Sequence, residues 1–155
     1  FAAYATGSAF KEVTGVLTTF DKAPGGKIGK YTLDANDSAM LQGMMANGAA
    51  VSLVITRFAT GHMNDSLLDI HGTEGGLRIW TDGHDSTLQI CMGKDVKKAK
   101  WKKAKLEPVP TNYQRFVDAL VSGQNGMPSF ADGWRAQQVI DACFESSQTG
   151  SVVKI

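Results

Sequence analysis

The final 28 residues, Pro128 to Ile155, limit the fold most, because they carry a helix with chemical signals at both ends and a β-branched strand after it. Ser129 followed three residues later by Asp132 has capping-box spacing, with Asp in place of the usual Glu. Side-chain oxygens at those positions reach amides that a first helical turn leaves unpaired. A carboxylate there also suits the positive end of the helix dipole. Ala136, Val139, Ile140, Cys143 and Phe144 recur at helical spacing and predict one buried stripe, while Arg135, Gln138, Asp141 and Glu145 point elsewhere. Gly150 is the expected stop.

Upstream, the periodicity changes to that of strands. Phe10 to Phe20 sets Val13, Leu17 and Thr19 against Glu12, Thr14 and Thr18, the alternation of a half-buried strand. Ser38 to Phe58 is rich in Ala, Met and Leu, yet Asn47-Gly48 at its centre predicts a hairpin with a type I′ turn. Pairing outward from a two-residue turn puts Met40, Gln42, Met44, Val51, Leu53 and Ile55 on one face. Leu41, Gly43, Met45, Ala50, Ser52, Val54 and Thr56 then occupy the other. Both faces are apolar enough to be covered, one by the chain's own helices and the other by a partner subunit. A second hairpin, LLDIHG and GLRIW around Thr73-Glu74-Gly75, and a strand over Ser86 to Met92 bring the sheet to at least five strands. After Pro108 and Pro110, the stretch Asn112 to Val121 carries Tyr113, Phe116, Val117, Leu120 and Val121 at helical spacing, and Gly123 ends it. Strands first, then two helices and a last strand, predict one α+β domain over residues 1–155, a mainly antiparallel open sheet with helices packed on one face.

Composition excludes several functions. No apolar run is long enough for a membrane span, and the N-terminus lacks a basic, then apolar, secretory leader, so the expectation is a cytoplasmic chain. It begins without Met inside an apolar stretch, which predicts a piece of a longer polypeptide. Cys91 and Cys143 are isolated and read as buried, reduced, small hydrophobes. Seven lysines against one Asp fall between Lys94 and Lys105, but with Trp101 as the only aromatic and no Arg the segment reads as a solvated edge. No nucleic-acid partner is expected. In DKAPGGKIGK, Pro24 stands where a phosphate loop needs Gly, and Tyr31 replaces its metal-binding Ser or Thr.

Taken in order, Ala46-Asn47-Gly48-Ala49, Arg57 with Thr60-Gly61-His62, the run Ile70-His71-Gly72-Thr73-Glu74-Gly75-Gly76-Leu77-Arg78, the helix Tyr113 to Leu120, and Pro128 to Gly133 with Ala136-Gln137 and Ser146 resemble one family. It is the C-terminal domain of the glucose–fructose oxidoreductase/inositol dehydrogenase/MocA (Gfo/Idh/MocA) oxidoreductases, a fold of the glyceraldehyde-3-phosphate-dehydrogenase-like kind, and the resemblance runs from about Phe10 to Ile155. It implies that a Rossmann domain holding NAD or NADP precedes this chain, that the catalytic Lys and the Asp/His pair lie there, and that this chain alone binds no cofactor and is inactive. Phe1 to Gly7 resembles the tail of the helix carrying that pair. The resemblance further implies a role in the substrate pocket and in homo-oligomerisation through the open sheet face, with a sugar, polyol or related alcohol as substrate.

Arg57, His62 and Asn64 lie in or beside the ATGHMND loop and are the substrate-binding candidates, in a strand-end loop that approaches substrate in the family. His71 and His84 share no metal-ligand spacing with His62, so no metal site is expected. Asp65 and Asp69 suit acid–base work only if the fold brings them together. The methionines Met40, Met44 and Met45 read as core or interface filling, and Trp134 as helix packing. The alternative from another class is a stand-alone sheet module that mediates association without catalysis.

Overall fold

A computed structural model describes all residues, Phe1–Ile155. Its elements are α1 (Ala2–Thr6), β1 (Phe10–Thr18), β2 (Lys27–Ile28), β3 (Tyr31–Thr32), β4 (Ser38–Met45), β5 (Ala50–Thr56), β6 (Ser66–Gly72), β7 (Gly75–Thr81), β8 (Ser86–Met92), β9 (Lys102–Ala104), α2 (Asn112–Ser122), α3 (Phe130–Thr149) and β10 (Val153–Lys154). Every strand pair is antiparallel. The chain forms two compact units, one from Phe1–Phe58 with Gln124–Ile155 and one from Ala59–Gly123. The expected sheet of at least five strands is therefore divided: β10-β1-β4-β5 in the first unit and β6-β7-β8-β9 in the second, with β2-β3 as a small separate hairpin. The DKAPGGKIGK segment, expected as a loop, holds β2 and a short 3-10 turn at Pro24–Gly26.

In the first unit α3 covers one face of the sheet. Val13, Leu41 and Ala142 form the buried centre, with Phe10, Val139, Cys143 and Val153 packed around it. The sequence stripe on α3 needs correction, since Ile140 and Phe144 are exposed while Ala142 and Ser146 are buried. Close approach is the reason: a Cβ on Gly15 would stand 3.2 Å from the Cys143 Cα, so only small side chains fit between helix and strand. Ser146 and Ser147 also complete the strand edge. Past Val13, where β10 stops pairing, Ser146 Oγ accepts the Gly15 N–H (2.9 Å) and Ser147 Oγ accepts the Leu17 N–H (3.0 Å).

The capping box forms as the sequence predicts: Ser129 Oγ accepts the Asp132 N–H, and Asp132 Oδ2 accepts the Ser129 N–H at 2.8 Å. The Ser129 N–H and hydroxyl, both donating to Oδ2, hold the Asp132 carboxyl below its ordinary value. Gly150 closes the helix at φ +65°. Replacing the cap with Ser129→Ala is expected to cost about 1 kcal/mol in a denaturant titration, and Ser129→Asn to retain most of that; equal stability of the two variants would count against the box.

The β4–β5 hairpin differs from the expected register by one residue. Gly48 alone has positive φ, +86°. The Gly48 N–H donates to Met45 O, the Met45 N–H to Ala49 O, and Asn47 Oδ1 accepts the Ala49 N–H. The loop thus has three residues, with one left-handed glycine, in place of a two-residue I′ turn. One extra loop residue turns β5 over. Leu41 consequently opposes Leu53 on the helix face, whereas Met40 opposes Val54, Gln42 opposes Ser52 and Met44 opposes Ala50 on the open face.

In the second unit, β6 and β7 meet at Thr73-Glu74 and β8 spans Ser86–Met92 as expected. The lysine-rich segment is a 3-10 turn, Gly93–Lys98, followed by the edge strand β9, with Lys102 paired to Asp95 and Lys105 to Glu107. The helix α2 starts at Thr111, whose Oγ1 accepts the Gln114 N–H, and ends at Gly123. Tyr113, Phe116, Leu120 and Val121 along it are exposed. Both cysteines are free, Cys91 buried and Cys143 half-buried, where burial pushes the Cys143 thiol up. No helix is long and apolar enough to cross a membrane.

Candidate functional site

Arg57 belongs to the first unit and follows directly on β5. Its N–H donates to the carbonyl of Asp37 (2.9 Å), and the next amide, Phe58 N–H, donates to Thr56 Oγ1 (3.0 Å), so the backbone on both sides of the guanidinium is fixed. Asp37 is buried beside it, 8% exposed. Lys22 Nζ donates to Asp37 Oδ1 at 2.6 Å, and the Phe20 N–H to Oδ2 at 2.8 Å. The Lys22 hydrogen bond, reinforced by the Phe20 amide and the charges of Lys22 and Arg57, holds the Asp37 carboxyl below its usual range. Phe20 and Phe58 meet with ring centroids 5.0 Å apart. A cation, two aromatic rings and two hydroxyls, Ser38 and Thr56 at 2.6 Å, therefore share one end of the sheet. Such a surface offers hydrogen bonds and apolar contact to the same small molecule.

His62 and Asn64 belong to the second unit. His62 Nδ1 lies 2.6 Å from Asp65 Oδ2, and that bond lowers the Asp65 pKa below the ordinary carboxylate value. An aspartate on Nδ1 fixes the ring's orientation and leaves Nε2 for an outside partner. The imidazole is more than half exposed. Asn64 stands beside Gly83 in the β7–β8 turn, where Asp82 Oδ1 accepts the His84 and Asp85 N–H groups; these bonds hold the Asp82 carboxyl low.

Asp65 and Asp69 are not brought together as an acid–base pair. Asp65 serves His62, and Asp69 is held by a two-pronged bond to Arg78, Oδ1 to Nε at 2.7 Å and Oδ2 to Nη2 at 2.8 Å. The Arg78 guanidinium also lies over the Trp101 ring, 5.3 Å from its centroid. The sequence contained the signal for that pair, since a turn at Thr73-Glu74 places Asp69 opposite Arg78. The Asp37 cluster had no such signal, because its members lie just before β4, just after β5 and in the β1–β2 connection.

The glycines Gly72 to Gly76 close an antiparallel hairpin, and no strand runs through them into a helix N-terminus that could face a pyrophosphate. No cluster of three or more His, Cys, Asp or Glu is arranged to hold a metal.

Comparison with known proteins supplies the frame. The profile described as "Oxidoreductase family, C-terminal alpha/beta domain", that of the Gfo/Idh/MocA proteins, matches residues 8–155. The chain belongs to this family. Within it, levoglucosan dehydrogenase of Pseudarthrobacter phenanthrenivorans is 29% identical over 84% of this chain and 39% of its own length. Inositol 2-dehydrogenase of Pseudomonas fluorescens is 38% identical over a shorter stretch, 36% of this chain and 16% of its own. A levoglucosan dehydrogenase structure in complex with NADH and levoglucosan matches with TM-score 0.84 and 28% identity, covering 99% of this chain and 47% of that one. An oxidoreductase domain protein from Kribbella flavida shares the fold with TM-score 0.83 at 24% identity over 99% of this chain and 48% of its own. The Gfo/Idh/MocA domain described here thus spans less than half the length of these relatives.

Proposed function

We propose that this chain is the substrate-pocket and oligomerisation half of an NAD- or NADP-dependent oxidoreductase acting on a sugar, polyol or related alcohol. The observation that carries the reading is the match, over 99% of the chain, to a dehydrogenase solved with both NADH and a saccharide. The dinucleotide, the proton-abstracting base and hydride transfer belong to the N-terminal half of such an enzyme. This half contributes binding groups. Arg57 donates to a hydroxyl or acidic oxygen of the substrate, and His62 offers Nε2 with its ring held by Asp65. Asn64 supplies an amide that can donate and accept. The reduced cysteines fit a cytoplasmic enzyme.

The open face of the first sheet is the oligomer surface in this reading. Val16, Met40 and Val54 lie side by side across it, all exposed. Gln42 stands between Thr14 and Ser52 in the neighbouring row, and its amide can pair with its own copy across a two-fold axis.

Steady-state kinetics of the two-domain enzyme on a panel of sugars and polyols tests the pocket. Arg57→Ala is expected to raise KM for the oxidised alcohol about tenfold or more, the effect of losing one charged hydrogen bond. Absence of alcohol oxidation on the whole panel, or an unchanged KM in Arg57→Ala, would remove the reading.

A further inference from the structure

We propose that Asp37 is a positioning residue, a buried clamp that holds Arg57 and the Phe20–Phe58 ring pair together as one wall for a polyhydroxylated ring. The inference rests on the substrate-pocket reading of Arg57 and adds the residues that set it in place. Four bonds converge on this one residue. Its N–H donates to Thr18 O (2.8 Å), its carbonyl accepts the Arg57 N–H (2.9 Å), and its carboxylate accepts the Phe20 N–H and the Lys22 ammonium. The last residue of β1, the connection after it, the start of β4 and the residue after β5 are thus tied to a single side chain and its backbone.

The core does not require this arrangement. Val13, Leu41 and Ala142, which form the buried centre, pack around α3 and do not include Asp37. A buried carboxylate is costly unless it is paired and fully hydrogen-bonded, and a hydrocarbon of similar size would fill the same space without that requirement. What the carboxylate supplies is direction. It draws the Phe20 amide inward, which brings the Phe20 ring to 5.0 Å from Phe58, while the backbone carbonyl of the same residue fixes the Arg57 amide. Lys22 closes the connection by donating also to Ala35 O at 3.2 Å. The product is a pair of half-exposed rings, with Arg57 next in sequence to one of them and its backbone held by Asp37. A saccharide or polyol ring has that chemistry in reverse: an apolar C–H face for the rings and a hydroxyl edge for the guanidinium.

Two measurements test the clamp. In the two-domain enzyme, Asp37→Asn is expected to raise KM for the oxidised alcohol about tenfold while kcat stays within about twofold, because binding is lost and chemistry is not. Lys22→Met should raise KM several-fold, and Lys22→Arg, which keeps the charge and a donor, should return it towards the parent value. In this chain, hydrogen exchange of the Phe20 amide should accelerate about tenfold or more in Asp37→Ala, which removes both carboxylate oxygens, as for a protected amide losing its acceptor. If Asp37→Asn does not fold, Lys22→Met carries the KM measurement by itself. An unchanged KM in both, or kcat falling in parallel with stability, overturns the positioning role, as does a Phe20 amide that stays protected in Asp37→Ala. If Arg57→Ala leaves KM unchanged, the pocket reading itself fails, and the positioning role falls with it even when Phe20 exchange responds. If Arg57→Ala raises KM and Asp37→Asn does not, only the clamp fails.

Discussion

Ser146→Ala is expected to destabilise the protein by about 2–4 kcal/mol. Ser146 is fully buried, and its hydroxyl both accepts the Gly15 N–H at 2.9 Å and donates to Ser151 O at 2.7 Å. Truncation leaves a buried strand amide without an acceptor, which costs about 1–3 kcal/mol, and also removes the ordinary contribution of the second bond. Water cannot replace the oxygen, because α3 lies against β1 at Gly15, where even a methyl group would touch the helix backbone at 3.1 Å. Ser147→Ala is the control. Its acceptor role towards Leu17 is only partly buried, so its cost should be nearer 1 kcal/mol. For a chain of this size the Ser146 variant should melt roughly 5–15 °C lower, since each kcal/mol moves the midpoint by about 2–4 °C. Equal melting temperatures for the two variants would show that Gly15 finds another acceptor.

That same serine marks the boundary of what the sequence discloses. Signals of short range are legible: the Ser129–Asp132 cap, the Gly123 and Gly150 stops, and β8 over Ser86–Met92 all depend on neighbours within a few residues. The side of α3 that meets the sheet is not of that kind. Periodicity favours the larger apolar residues Ile140 and Phe144, but the contact is set by Gly15, far away in sequence, which lies against Cys143 and turns the Ala142 and Ser146 side of the helix inward. The β4–β5 register misleads for a related reason. Asn47-Gly48 suits a two-residue turn, and the bond from Ala49 N–H to Asn47 Oδ1 stabilises a three-residue one instead. For the candidate site, Arg57, His62 and Asn64 stand out because strand-end loops carry function, whereas Asp37 reads as one more loop aspartate until β1, β4 and β5 are assembled around it. Family membership was legible because it depends on the order of motifs, which survives errors of register.

The register has its greatest consequence at the open face, where Met40→Asp or Val54→Asp is expected to dissociate the proposed oligomer. Had the hairpin a two-residue turn, Val54 would lie on the opposite face from Met40. In the observed register the two oppose each other directly, and both are more than half exposed, 51% and 67%. If a second copy covers this face, a carboxylate at either position is buried without a partner. Such a charge costs on the order of 3 kcal/mol or more, and a two-fold axis buries it twice, so the dissociation constant should rise at least about a hundredfold. Ile28→Asp makes the same chemical change at an exposed position on β2, outside this sheet, and should leave association unchanged. Sedimentation velocity over a concentration series distinguishes the cases. An oligomer that survives Met40→Asp and Val54→Asp alike would place the subunit contact somewhere other than the β1–β4–β5 face. A parallel measurement of Leu41→Asp separates association from folding, because Leu41 is buried in the core on the helix side of the same sheet. There the charge should lower the melting temperature, while at the open positions it should lower the sedimentation coefficient and leave the melting of the separated chain nearly unchanged.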